Sequence, residues 1–129
     1  MADGYDPRKS KVSEDSMQAW RNSQPTDDLL EIPGIGPAAV KKLGEAMIDA
    51  ERITNTYMLF GKYLSLKGPD LDGHKVDIVE HNERFWHYLK IRGISAHRSA
   101  IVKAVAEKAA TLFPSLYDAN IYEDDSDDE

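Results

Sequence analysis

A chain of 129 residues with net charge −7 and no cysteine has the length of one domain with room for tails. These figures exclude a disulfide framework and thiolate zinc sites, and no stretch approaches the ~20 apolar residues of a membrane span. Residues 118–129 hold seven acids and no base, whereas residues 29–117 hold twelve bases against ten acids. The acidity therefore belongs mainly to a tail that reads as disordered, and the mildly basic middle can meet phosphate if its bases share a face.

In chain order, Met1 to Lys11 is polar, lacks the apolar run of a signal peptide and reads as disordered. Ser13 is a candidate cap for a helix to about Arg21, with Met17 and Trp20 on one face. Asn22 to Pro25 breaks it. Thr26 is the expected cap of a single turn, Asp27 to Glu31. A helix is expected over 37–48, with Val40, Leu43, Met47 and Ile48 as its buried face. Another is expected over 53–66. Ile53, Tyr57, Phe60 and Leu64 form one stripe there, and Met58, Leu59, Tyr63 and Leu66 widen it, which suits either a central core helix or a partner surface. Gly68, Pro69 and Gly73 mark a loop, followed by a helix over 75–91 with Phe85, Trp86 and Leu89 in the core. Gly93 ends that helix, Ser95 is expected to cap the next, and 96–113 carries Ile101, Val105 and Leu112 before Pro114 stops it. No segment alternates as a strand does. The expectation is an all-α compact bundle of about five helices containing a helix-hairpin-helix motif, divided into a flexible segment with a short helix (1–25), the main domain (26–117) and the acidic tail (118–129).

The most specific run is Ile32-Pro33-Gly34-Ile35-Gly36-Pro37-Ala38-Ala39-Val40-Lys41-Lys42-Leu43. Gly34 and Gly36 permit unusual backbone angles and leave no side chain between the backbone and a ligand. Pro37 suits the first helical position. The amides of Gly36, Ala38 and Ala39 should then lie free at the positive end of a helix dipole, where a phosphate is favoured, with Lys41 and Lys42 one turn on. The pattern resembles a helix-hairpin-helix hairpin. The plain alternative is a tight turn between packed helices with Gly34 as a cap.

Enzyme signatures are missing. There is no Gly-x-x-x-x-Gly-Lys phosphate loop and no Gly-x-Ser-x-Gly elbow. Asp77 and His81, at i and i+4, could share a helix face but lack an obvious third ligand. No catalytic residue, metal or cofactor is expected.

Together with the hairpin, Phe60-Gly61-Lys62-Tyr63-Leu64-Ser65-Leu66-Lys67, Phe85 to Leu89 and Gly93-Ile94-Ser95-Ala96 occur in an order that resembles the barrier-to-autointegration factor family. The resemblance covers about residues 26–117. It implies an all-helical, non-enzymatic homodimer that binds and bridges double-stranded DNA without sequence preference, in nucleus and cytoplasm. It implies phosphate contacts at Gly34, Gly36, Ala38, Ala39 and Lys42, and a second cluster at Ala96, His97 and Arg98; Ile35 and Lys41, within the same hairpin run, complete the candidate DNA-binding set. It places Phe60, Gly61, Leu64 and Ser65 at the dimer interface, and it suggests LEM-domain-like nuclear envelope proteins as partners. The chain departs from the family in His97, where the family has lysine, in the acidic Glu14 and Asp15 of the first helix, in a longer 68–82 loop and in the acidic tail. Two other readings stay open: a monomeric helix-hairpin-helix accessory module of a repair complex, and a protein-interaction adaptor that has lost DNA.

Overall fold

Ser13, Asn55 and Asp77 each accept a hydrogen bond from the amide three residues on, at 3.1, 2.8 and 2.9 Å, and each starts a helix. Such caps satisfy one of the orphan amides of a first turn. The computed structural model describes residues 4–6, 8, 12–68, 73 and 76–114. The acidic tail at 118–129 lies outside them, as do positions 69–72, 74 and 75 of the expected long loop. The described residues form an all-α compact bundle: α1 Glu14–Asn22, α2 Pro37–Gly44, α3 Thr56–Ser65, α4 Ile78–Ile91 and α5 Arg98–Leu112, with 3₁₀ turns at Leu29–Glu31 and Asp49–Glu51.

Helix α5 is the centre. Ile101, Val102, Ala104 and Val105 are fully buried, and α4, α1 and α3 pack around it. Its alanines let the neighbours come close. The indole N–H of Trp20 reaches the Ala104 carbonyl at 2.8 Å, so α1 shares the core of the main domain through Met17 and Trp20. Leu59 and Tyr63 of α3 and Phe85 and Leu89 of α4 complete it. Each such side chain contributes roughly 1.5–3 kcal/mol on burial.

Three helices end on a cation supplied from far along the chain. Lys108 of α5 donates to the Arg21 carbonyl at 3.1 Å and to that of Ser23, closing α1, and its ammonium lies 4.7 Å from the Trp20 ring centroid. Burial lowers the pKa of that ammonium. Arg84 of α4 donates to the Leu66 and Lys67 carbonyls at 3.1 and 2.7 Å, closing α3. Arg92 closes α2 in the same way. Last-turn carbonyls lack partners within the helix and carry the negative end of its dipole, which explains the choice of donors.

Several boundaries differ from those expected. The helix expected over 37–48 stops at Gly44, because Arg92 takes the Lys42, Leu43 and Glu45 carbonyls and Ile53 N–H takes that of Leu43. Met47 and Ile48 are therefore exposed, not core. The third helix starts at Thr56 instead of 53. Its inward face is Thr56, Leu59, Phe60 and Tyr63, while Tyr57 and Met58 face out. Asp28 caps the 3₁₀ turn where Thr26 was expected: Asp28 accepts from Leu30 N–H at 3.0 Å, while the Thr26 hydroxyl accepts from Asp28 N–H at 3.3 Å, ahead of the turn. The fourth helix begins at Ile78, not 75. His97, not Ser95, stands at the start of α5, and Leu112 is half exposed.

Candidate nucleic-acid interface

Residues 32–35 form a tight turn in which Ile35 N–H meets the Ile32 carbonyl at 3.0 Å. Pro33 takes the second position and Gly34 the third, with φ of 95°. This is a type II turn, which needs positive φ there and so needs glycine. Ile32 and Ile35 are both buried and anchor the turn. A side chain at Gly34 would also be crowded: its β-carbon would lie 3.0 Å from Ile101 Cγ1 and 3.1 Å from Ala100 Cβ. The close approach at Gly34 is thus made by the first turn of α5.

Gly36 behaves differently. It is the N-cap of α2 with φ of −111° and ψ of −174°, extended backbone open to any residue. The expectation of special angles is met at Gly34 and not at Gly36. A β-carbon at Gly36 would meet nothing within 4 Å, so the space beside it is open. Pro37 occupies the first helical position, no side chain caps α2, and no acid stands in its first turn. Its first backbone bond runs from Val40 N–H to the Gly36 carbonyl, which leaves the Ala38 and Ala39 amides ahead of the ladder. Ala38, Lys41 and Lys42 are exposed, and Ala39 is buried. This arrangement can accept an anion at the helix start.

The second predicted cluster lies beside the first. Gly93, with φ of 89°, follows α4, and a β-carbon on it would lie 3.3 Å from Lys42 Cδ. The Lys42 side chain therefore reaches from α2 to the turn that leads into α5. Ala96 and His97 are exposed, and His97 takes a left-handed φ of 63° without capping α5 through its side chain. Arg98 turns inward. Its guanidinium carbon is 4.4 Å from the Trp86 ring centroid, its Nη1 donates to the Ile94 carbonyl at 2.6 Å, and its buried Nε faces no acceptor among the described residues.

The four residues expected at a dimer interface separate. Phe60 lies in the core, edge-on to Trp20 at 6.2 Å. Leu64 is half-buried against the core, Gly61 is exposed with open space at its β-position, and the Ser65 hydroxyl donates to the Lys62 carbonyl at 2.8 Å. Asp77 and His81 do not form a shared open site. Asp77 caps α4, whereas His81 is fully buried with Nε2 2.6 Å from the Tyr63 carbonyl. Nε2 carries the hydrogen there, since a carbonyl only accepts. Burial depresses the imidazole pKa and keeps the ring neutral.

Sequence reasoning missed Arg92, whose contacts reach residues 41 to 50 positions away. The one available signal was a basic residue directly before the glycine that ends a helix. No helix among the described residues is long and apolar enough to cross a membrane. No family model, no curated protein and no solved structure matches this chain.

Proposed function

We propose that this protein is a non-enzymatic, sequence-independent binder of double-stranded DNA that grips phosphates through a helix-hairpin-helix motif. The observation that carries the reading is the start of α2. It has no side-chain cap and no acid in its first turn, open space at Gly36, and the exposed Lys41 and Lys42 one turn on. Backbone amides and lysines suit phosphates and carry no base code, so affinity is independent of sequence. The exposed start of α5 at Ala96 and His97 offers a second contact on the same duplex. Titration of unrelated duplexes of equal length at several salt concentrations tests this. Equal affinities and a log–log salt slope of about −0.9 per phosphate contact are expected. Preference for one sequence, or affinity indifferent to salt, would overturn it.

The bridging part of the reading needs two copies. Gly61 stands within α3 at a cost of about 0.5–1 kcal/mol, and none of the described residues of its own chain requires the missing side chain. A second backbone packed there would. Tyr57 and Met58 are exposed on the same helix. Sedimentation should give twice the 14.5 kDa chain mass. Gly61→Glu should give a folded monomer that still binds one duplex but no longer joins two. A wild-type mass of one chain would sink the dimer and leave the phosphate site standing.

A further inference from the structure

We propose that Arg92 is the positioning residue of this phosphate site. It joins the end of α2 to the turn that starts α5, so that both helix starts meet one duplex in a fixed relation. The inference rests on the DNA reading and adds a residue that touches no phosphate.

The backbone around Arg92 is closed tightly. Gly93 N–H bonds the Lys90 carbonyl at 3.0 Å and Ile94 N–H bonds that of Leu89 at 3.1 Å, with Ile94 buried. This double closure is a Schellman motif, and it sets the direction in which the Arg92 side chain leaves α4. The guanidinium then reaches α2. Nη2 lies 3.2, 2.5 and 2.8 Å from the carbonyls of Lys42, Leu43 and Glu45. Nη1 donates to the Glu51 carbonyl at 3.2 Å and to the Tyr88 hydroxyl at 2.5 Å. The Tyr88 ring centroid is 5.6 Å from the guanidinium carbon. One planar fork therefore holds the end of α2, the 49–51 turn and α4 together.

Helix α2 needs such a hold. It has eight residues and fully buries only Ala39 and Leu43, which stand at i and i+4. Val40 is half-buried beside them, and Ile53 N–H holds the Leu43 carbonyl at 2.9 Å, so few contacts fix the tilt of this short helix. Arg92 adds three carbonyl contacts at the end of α2, roughly 10 Å from the amides at its start, and is the side chain that ties that end to α4. The position of Lys42 over Gly93 follows from the same joint. Because the guanidinium faces carbonyls, its charge acts inside the fold. Lysine would keep the charge but lacks a rigid fork to span several carbonyls.

The test compares Arg92→Lys and Arg92→Gln with wild type, well below their melting temperatures and with helicity checked by circular dichroism. A positioning role predicts that both variants bind duplex roughly tenfold more weakly, and that lysine does not rescue. Wild-type affinity in Arg92→Lys would reduce the role to charge and overturn the proposal, as would wild-type affinity in both. A second readout does not use DNA. The chain has no cysteine, so spin labels at Glu45→Cys and Ser95→Cys report the α2-to-turn distance alone. That distance should be narrowly distributed with Arg92 and broad in Arg92→Lys. A narrow distribution in the variant would show that Arg92 is not the joint. If wild type binds no duplex, the DNA reading fails, and the label distances still decide the joint.

Discussion

At the start of α2 the turn glycine, Gly34, packs against α5, and the lysines of the helix stand exposed. At the start of α5 the turn glycine, Gly93, lies under Lys42, and the helix's first arginine folds inward over Trp86. Both segments place a glycine with positive φ shortly before a helix, yet only the first keeps its cations for solvent. Residue chemistry alone does not separate a phosphate contact from a core contact. What separates them is whether an aromatic face and a carbonyl lie within reach of the guanidinium. The same rule draws Arg92 and Lys108 inward, each over a ring and onto helix-end carbonyls, and Arg84, though partly exposed, is committed to carbonyls as well. The basic character of the middle region is concentrated on fewer side chains than its composition suggests.

The largest expected effect breaks the α2 side of this comparison. Gly36→Glu places a carboxylate at the helix start, where a β-carbon meets nothing within 4 Å among the described residues. Folding and helicity should match wild type, and duplex binding should vanish at concentrations that saturate the wild type. Undiminished binding by that variant would remove α2 as the site.

A paired substitution sharpens the contrast. Lys42→Gln should weaken binding equally across sequences and reduce the salt slope by about 0.9, with little change in melting temperature. Arg98→Gln should do the reverse. It loses a cation–π contact and a carbonyl bond together worth about 1–3 kcal/mol, so its melting temperature falls while the slope changes little. A slope change at Arg98 as large as at Lys42 would mean that the guanidinium leaves Trp86 to meet DNA. Lys41 lies 100° around the helix from Lys42, and its replacement should matter less than that of Lys42.

The smallest effect concerns the acidic residues at 118–129. Helix α5 spans fifteen residues, and its start lies roughly 22 Å from its end. The last described residue, Pro114, follows the end of α5 that is remote from the helix's start. Truncation after Tyr117 should tighten duplex binding slightly at low salt, with the gain fading as the Debye length shortens. Equal affinities at low salt would make the tail a bystander.

Local signals were legible from residue order. Ser13 as a cap, Met17 with Trp20, Phe85 with Trp86 and Leu89, and Gly34 in a turn all follow from hydrogen-bonding reach over three residues, from helical spacing or from the steric cost of positive φ. The all-α class follows from the same sources. What escaped was every feature that depends on which helix ends meet. The stop of α2 at Gly44, the exposure of Met47 and Ile48 and the inward turn of Arg98 are set by partners distant in sequence. A long cationic side chain has many rotamers of similar energy, and only the folded neighbourhood selects among them. Sequence by itself therefore determined the helices, the glycine turn and a candidate phosphate grip. Tertiary structure alone decided which cations stay at the surface, because a guanidinium or ammonium goes where unpaired carbonyls and aromatic faces come within its reach.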